Sequence, residues 1–287
     1  MNYRHAFHAG GFADVIKHIV LVRILAHLHE KPAAFRVIDS HAGAGLYDLT
    51  SDEAGRGGEW LTGIARIVQA RFSETAAALL RPYLDIISSF NPGTSQLVAY
   101  PGSPLIARAL LRLQDRLTAC EVEPSARRRL IDALRRDVQA RVVDLDGWLA
   151  LPAFVPPNER RGLVVIDPPF ESKDEFERLA QGLAKAFAKW QSGVFLCWYP
   201  AKSRRQTDEL ARHVAQSVAS ARPPGKCLRV EFSIAPQTQG STLASCGLLI
   251  INPPWTLQAE LKTILRELER PLGQGGAARF RLETPKP

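Results

Sequence analysis

Short apolar, β-branched runs recur along this chain, each stopping on a glycine, a proline or a carboxylate, and between them lie stretches with helical spacing. Val15, Ile16, Ile19, Val20 and Leu28 repeat at that spacing over residues 12–30, with Asp14 in the first turn and Pro32 beyond the end, which predicts a helix. Phe35-Arg36-Val37-Ile38-Asp39 predicts a strand, and further strands are predicted over residues 117–122, 141–145, 164–166, 193–199, 228–234 and 247–251. Helices separate most of them. One opens at Ser103-Pro104, with Ser103 as N-cap and Pro104 at the first helical position, and an Arg-rich one starts at Pro124. Residues 52–98 interrupt the alternation: Trp60, Leu61, Ile64, Ile67 and the 76–87 segment read as helices, closed off by the polar break Asn91-Pro92-Gly93-Thr94-Ser95. Alternating strands and helices specify an α/β fold with a mostly parallel, doubly wound sheet. The expected organisation is a main domain of residues 1–51 and 99–287 with an inserted helical subdomain at 52–98. The tail past Gly273 reads as loosely ordered.

The strand ends carry the chemistry. Residues 35–39 empty into Ser40-His41-Ala42-Gly43-Ala44-Gly45, and glycine there lets the backbone approach a ligand closely. The next two strands end at Glu121 and at Asp146-Gly147, and the fourth, Val164-Val165-Ile166, ends at Asp167-Pro168-Pro169-Phe170. Taken alone, the last is equally well a strand followed by a Pro-rich turn with a solvated Asp. In order along an open sheet, however, one ligand group per strand end describes a nucleoside site. A carboxylate at the second strand accepts both ribose hydroxyls, and one at the third accepts from an adenine amino group. Glu123 lies close enough to Glu121 that either could be the ribose acceptor. No Gly-x-x-x-x-Gly-Lys-Ser/Thr occurs, which argues against a phosphate-clamping NTPase.

At Asp167-Pro168-Pro169-Phe170 the prolines fix φ and so the direction of their carbonyls. An exocyclic adenine amine is a poor nucleophile because its lone pair is delocalised into the ring. Hydrogen bonds from its two N–H groups to the Asp167 carboxylate and the Pro168 carbonyl would aim it and favour a pyramidal nitrogen, while Phe170 stacks on the base. Asn252-Pro253-Pro254-Trp255 fits the same four-letter pattern after another apolar strand. Asp167 is preferred because it is fourth after three ligand-type ends, whereas Asn252 closes a strand that in such folds runs antiparallel and ends away from the ligand.

Composition narrows the partner. The net charge is +8 at a pI near 9.6, and 28 of the 37 basic residues are arginine, clustered at Arg127-Arg128-Arg129, Arg135-Arg136, Arg160-Arg161 and Lys202-Arg204-Arg205. Arginine's planar fork suits phosphate, although ordinary solvated helix faces account for such clusters equally well. Cys120, Cys197, Cys227 and Cys246 are far apart and read as reduced core thiols of a cytoplasmic protein. No window reaches the ~18 apolar residues of a membrane span, and no signal-peptide core opens the chain. Six of the seven histidines fall within the first 41 residues, but their spacing matches no metal-ligand pattern, so no metal is expected.

The acidic strand ends resemble those of the seven-stranded, Rossmann-like class I methyltransferases that use S-adenosylmethionine. Tyr3-Arg4-His5, His8-Ala9-Gly10, Ala13-Asp14-Val15 with Lys17-His18, the Ser40–Gly45 loop, Tyr100-Pro101-Gly102-Ser103-Pro104 and Ile166-Asp167-Pro168-Pro169-Phe170 together resemble the ribosomal large-subunit RNA methyltransferase J family, as does the closing Ile251-Asn252-Pro253-Pro254-Trp255. These blocks span nearly the whole chain. The resemblance implies a small helical insertion and methylation of N6 of one adenine, nucleotide 2030, of 23S rRNA. It implies cofactor contacts at His18, His41, Ser103, Glu121, Asp146, Gly147 and Asp167 beside Lys17, with Gly43 in the loop, and an RNA contact at Tyr3. Phe170 departs from the tyrosine common in that family, which keeps stacking and loses a phenol hydrogen bond. The expected product is S-adenosylhomocysteine and the substrate naked or partly assembled rRNA, bound by a monomer. Two competing readings are a DNA adenine-N6 methyltransferase, which usually needs a separate recognition domain not evident here, and a non-catalytic nucleic-acid-binding protein, which has no need of Glu121 or Asp146.

Overall fold

A computed structural model describes residues 5–93, 96–236 and 243–287. A single 3-10 turn at His5–Phe7 leads into α1 (Phe12–His29), β1 (Arg36–Asp39) and β2 (Leu46–Asp48). Four helices follow, α2 (Asp52–Gly57), α3 (Glu59–Thr62), α4 (Ile64–Gln69) and α5 (Glu74–Ser89), before β3 (Ala99–Pro101) returns to pair with β2. Then come α6 (Ser103–Ala109), β4 (Arg116–Cys120), α7 (Pro124–Ala133), β5 (Ala140–Val143), α8 (Gly147–Phe154), β6 (Gly162–Ile166), α9 (Glu175–Lys189) and β7 (Val194–Pro200). The chain closes with α10 (Arg204–Ala219), β8 (Cys227–Ser233), β9 (Ser245–Ile251), α11 (Leu257–Leu272) and β10 (Arg279–Glu283). No helix among the described residues is long and apolar enough to cross a membrane.

The main sheet runs β10-β8-β9-β7-β6-β1-β4-β5. Its five strands from β5 to β7 are parallel, and β9 is inserted antiparallel between β7 and β8. This is the Rossmann-like methyltransferase sheet that the resemblance implies, with an eighth strand. After β1 the sheet grows in one direction through β4 and β5, and after β5 it resumes on the other side of β1 at β6. The crevice therefore opens beyond the carboxyl ends of β1 and β6.

Alternate strand residues feed two apolar layers, as a sheet covered on both faces requires. Val37, Leu163 and Val165 face the layer containing α1 and α11, while Ile38, Val164 and Ile166 face the layer of α8, α9 and α10. α1 is apolar nearly all round and buried accordingly. The α2–α5 segment packs on the main core: Ile64, Ile67, Leu80 and Tyr83 belong to the same apolar cluster as residues of α1 and α11.

Two expectations are corrected. The tail is not loose: Phe280 and Leu282 of β10 pack against the core, and Arg281 and Glu283 join an ion-pair group around Arg229, which is 2% exposed and bonds Asp208, Glu231 and Thr207. A five-residue strand with two arginines looks solvated until β8 supplies the ladder and, with Asp208 of α10, counter-charges. Ser103 is not an N-cap either. Gly102 occupies that position and Ser103 already lies in the helix, with no side-chain cap bond.

Candidate active site

The loop after β1 turns on Gly43, whose φ of +63° glycine adopts without strain, and it wraps the end of β4 through the bond from Ala42 N to Cys120 O. A cavity of about 570 Å³ opens there. Lys17, His18, His41, Gly43, Ser103, Glu121, Asp146, Gly147 and Asp167 all line it, brought from α1, from the start of α6 and from the ends of β1, β4, β5 and β6.

Glu121 is held from both sides. Its Oε2 accepts from Gly43 N at 2.8 Å and its Oε1 from Glu123 N at 2.7 Å, which leaves lone pairs on each oxygen for further donors. Burial raises its pKa while those backbone N–H groups pull it down. Glu123, by contrast, spends its carboxylate capping α7, accepting from Ser125 N and Ala126 N. The two glutamates that the sequence leaves equivalent thus have different jobs. Asp146 caps α8 with one oxygen, Oδ1, at Trp148 N and Leu149 N.

His18 is buried, His41 is half-buried, and both are neutral. Burial pushes His41 down to about 4. Ser40 gives its hydroxyl proton to Val165 O at 3.0 Å, so the 2.9 Å contact with His41 runs from Nδ1–H to Ser40 Oγ, and His41 Nε2 is left as an acceptor. Burial and the neighbouring Lys17 ammonium hold His18 well below the ordinary imidazole range.

Sequence reasoning missed the chain of charges behind Asp167. Lys17 Nζ bonds Asp167 Oδ2 and lies 2.9 Å from Asp14 Oδ1. Asp14 Oδ2 in turn meets His5 Nε2 at 2.9 Å and accepts from Gly10 N at 3.1 Å. Burial acts against the Lys17 ammonium, but two carboxylates outweigh it and keep the amine well above its ordinary value. Asp14, read from sequence only as a first-turn acid, stands one helical turn before Lys17, and that i,i+3 spacing was the available signal. Asp39 was missed too: it is fully buried, and burial pushes its pKa up to about 7 against the pull of the Ser103 hydroxyl and the His41 backbone N–H.

Phe170 does not line the cavity. At φ +51° its side chain turns toward the sheet, 5.0 Å from Phe176 and 5.8 Å from Trp198 in edge-to-face geometry, whereas Pro169 does line the cavity and Pro168 does not. The second Pro-Pro-aromatic copy sits at the opposite end of the sheet, because β9 runs against β7. There Asn252 Nδ2 donates to Gln191 O and Gly193 O at 2.7 and 2.9 Å, a structural clamp, and Trp255 is exposed. Tyr3 lies outside the described residues.

The site fits an S-adenosylmethionine-type ligand. Acceptors with spare lone pairs stand at the ends of β4 and β5, and a buried imidazole nitrogen, His18 Nε2, has no partner at the other side.

A family model described as "Ribosomal RNA large subunit methyltransferase D, RlmJ" matches residues 32–283. The chain is 39% identical over 276 residues to Ribosomal RNA large subunit methyltransferase J of Escherichia coli (strain K12), covering 96% of this chain and 95% of that protein. The protein of the same name from Haemophilus influenzae is 36% identical over 284 residues, covering 99% of this chain and 98% of its own length. A crystal structure of a Legionella pneumophila protein superposes with a TM-score of 0.86 at 34% identity, covering 97% of this chain and 99% of that one.

Proposed function

The chain belongs to the ribosomal RNA large subunit methyltransferase J family, and from that premise we propose that it uses S-adenosylmethionine to methylate N6 of an adenine in 23S rRNA, with nucleotide 2030 as the target. The observation that carries the reading is the placement of Asp167 at the switch point of the sheet, in one cavity with Glu121 and Asp146. In this proposal Glu121 accepts the ribose hydroxyls, and the free oxygen of Asp146 accepts from the adenine amine of the cofactor. His41 Nε2 is a further acceptor. When bound, the cofactor supplies a sulfonium methyl group as the electrophile.

Asp167 and the Pro168 carbonyl receive the two N–H groups of the target amine and orient it toward that methyl. Lys17 cannot be the base, since two carboxylates hold its proton; it fixes the Asp167 carboxylate instead. Asp167 accepts the proton that the amine loses and passes it to water. Phe170 stacks on the base after turning from its packed position, or meets it along the ring edge. Residues 52–98 act as an inserted helical subdomain and, with the N-terminal segment carrying Tyr3, grip the RNA. The enzyme works as a cytoplasmic monomer on naked or partly assembled rRNA, where an unpaired base is easiest to capture.

The test is to incubate the protein with methyl-labelled S-adenosylmethionine and unmodified 23S rRNA and to map the modified base. Label on one adenine at N6 is the expected result. Label on DNA in preference to rRNA, on another base, or nowhere would sink the proposal.

A further inference from the structure

His18 Nδ1 lies 2.7 Å from the Tyr100 hydroxyl, which lies 3.1 Å from the Tyr83 hydroxyl. Tyr83 comes from α5 of the inserted helices and Tyr100 from β3, and all three side chains are 0% exposed. The rings of His18 and Tyr100 are stacked, 5.5 Å apart at 27°. Because His18 is neutral, one of its nitrogens donates and the other accepts.

Proton accounting decides which. If Tyr83 donates to Tyr100, and Tyr100 to His18 Nδ1, both hydroxyl protons have acceptors. In the reverse order His18 Nδ1–H donates to Tyr100 and Tyr100 to Tyr83, and the Tyr83 proton is stranded in the apolar core, since Tyr100 is the only hydrogen-bond partner of that hydroxyl among the described residues. Either order leaves one donor over: the reverse leaves it on Tyr83 in the core, the first leaves it on His18 Nε2 beside the cavity, where an acceptor can reach it, so the first order prevails. His18 Nε2 therefore carries the hydrogen. That atom is buried and without a partner in the protein, on a residue that lines the cavity. A buried N–H left open beside a cavity calls for an acceptor from a ligand.

The acceptor follows from the layout. Glu121 and Asp146 ask for donors, which the hydroxyls and amine of a nucleoside supply, so the amino-acid end of the cofactor falls on the other side, by His18 and Ser103. We infer that Tyr83 and Tyr100 are positioning residues that fix His18 as the Nε2–H tautomer, and that this N–H donates to the carboxylate at the amino-acid end of the cofactor. The inference rests on the methyltransferase reading and adds to it. It gives the inserted helices a part in cofactor choice, favouring ligands that keep the carboxylate over adenosine compounds that have lost it.

The experiment compares binding of S-adenosylhomocysteine with that of 5′-methylthioadenosine, which lacks the amino-acid end, by calorimetry on the wild-type protein, Tyr100→Phe and Tyr83→Phe. Long-range proton–nitrogen spectra of labelled histidine read the tautomer directly in the same samples. The expected result is a protonated Nε2 at His18 in the wild type and a loss of that preference in Tyr83→Phe. Tyr100→Phe should bind S-adenosylhomocysteine about tenfold or more weakly and 5′-methylthioadenosine unchanged. Equal loss for both ligands, no loss for either, or a protonated Nδ1 in the wild type overturns the inference. The wild-type spectrum decides even where a variant does not fold. Wild-type protein that binds neither ligand overturns the methyltransferase reading itself, whereas a wrong tautomer leaves that reading standing.

Discussion

At the scale of single residues, Asp167 is useful because of what surrounds it. Lys17 pairs with it, and Asp14 and His5 hold Lys17 in turn. Asp167→Ala should therefore lower the rate of methyl transfer by about 100-fold or more, the scale of losing a preorganised polar group at a reacting centre. Asn252→Ala should keep most of the activity and instead lose about 1–3 kcal/mol of stability, because two partly buried carbonyls lose their donor. A labelled-methyl assay with a denaturation curve on each variant separates the two, and inactivity of Asn252→Ala in a folded protein would contradict the assignment. Asp39 gives a pH signature. Its native pKa is about 7 against an ordinary 3.8, so the stability it leaves intact below pH 4 is lost as pH rises toward 7, by roughly 4 kcal/mol in all. Asp39→Asn cannot ionise, and its unfolding midpoint without ligand should gain on the wild type over that window. Parallel pH curves for the two proteins would show that Asp39 is ionised in the native state.

At the scale of elements, the N-terminal segment is bound to the inserted helices by close backbone contact. A Cβ on Gly63 would lie 2.2 Å from Gly10 O, and one on Gly57 1.9 Å from Phe7 O. His8 and Glu59 add a bond at 2.7 Å. Gly63→Ala should thus cost about 1–3 kcal/mol, the range for overpacking a tight contact. Amide exchange over residues 5–11 should quicken in that variant before exchange in the sheet does, and an unchanged pattern would mean that the two segments dock independently. Most elements were legible from periodicity and breakers, because α1, α5 and the core strands are long or strongly apolar. β2, β3 and β10 were not. Each is three to five residues long and becomes a strand only by pairing with a distant partner.

At the scale of the whole molecule, the +8 charge is unevenly available. Arg36 is tied to Glu159, Arg112 to Asp115 and Arg161 to the carbonyls of Leu28 and Ala33, so these cations hold the fold together. Arg128, Arg129, Arg135 and Arg136 stay exposed, and Arg129 borders the cavity. If four phosphates are neutralised there, RNA affinity should fall about 100-fold between 50 and 200 mM salt. A titration at several salt concentrations measures the slope, and a flat response would place recognition elsewhere. The sequence by itself determined the chemistry of the strand ends, because a run of β-branched residues, its breaker and its final carboxylate are neighbours in the chain. Gly43, Glu121, Asp146 and Asp167 could be picked out on that ground alone. Only the tertiary structure decided which Pro-Pro-aromatic copy meets the cavity, which glutamate caps a helix, that Lys17 finds Asp167 across 150 residues, and that His18 meets the Tyr100 hydroxyl. Those outcomes depend on strand order, strand direction and buried hydrogen-bond accounting, which are fixed by long-range pairing and leave no mark on local spacing.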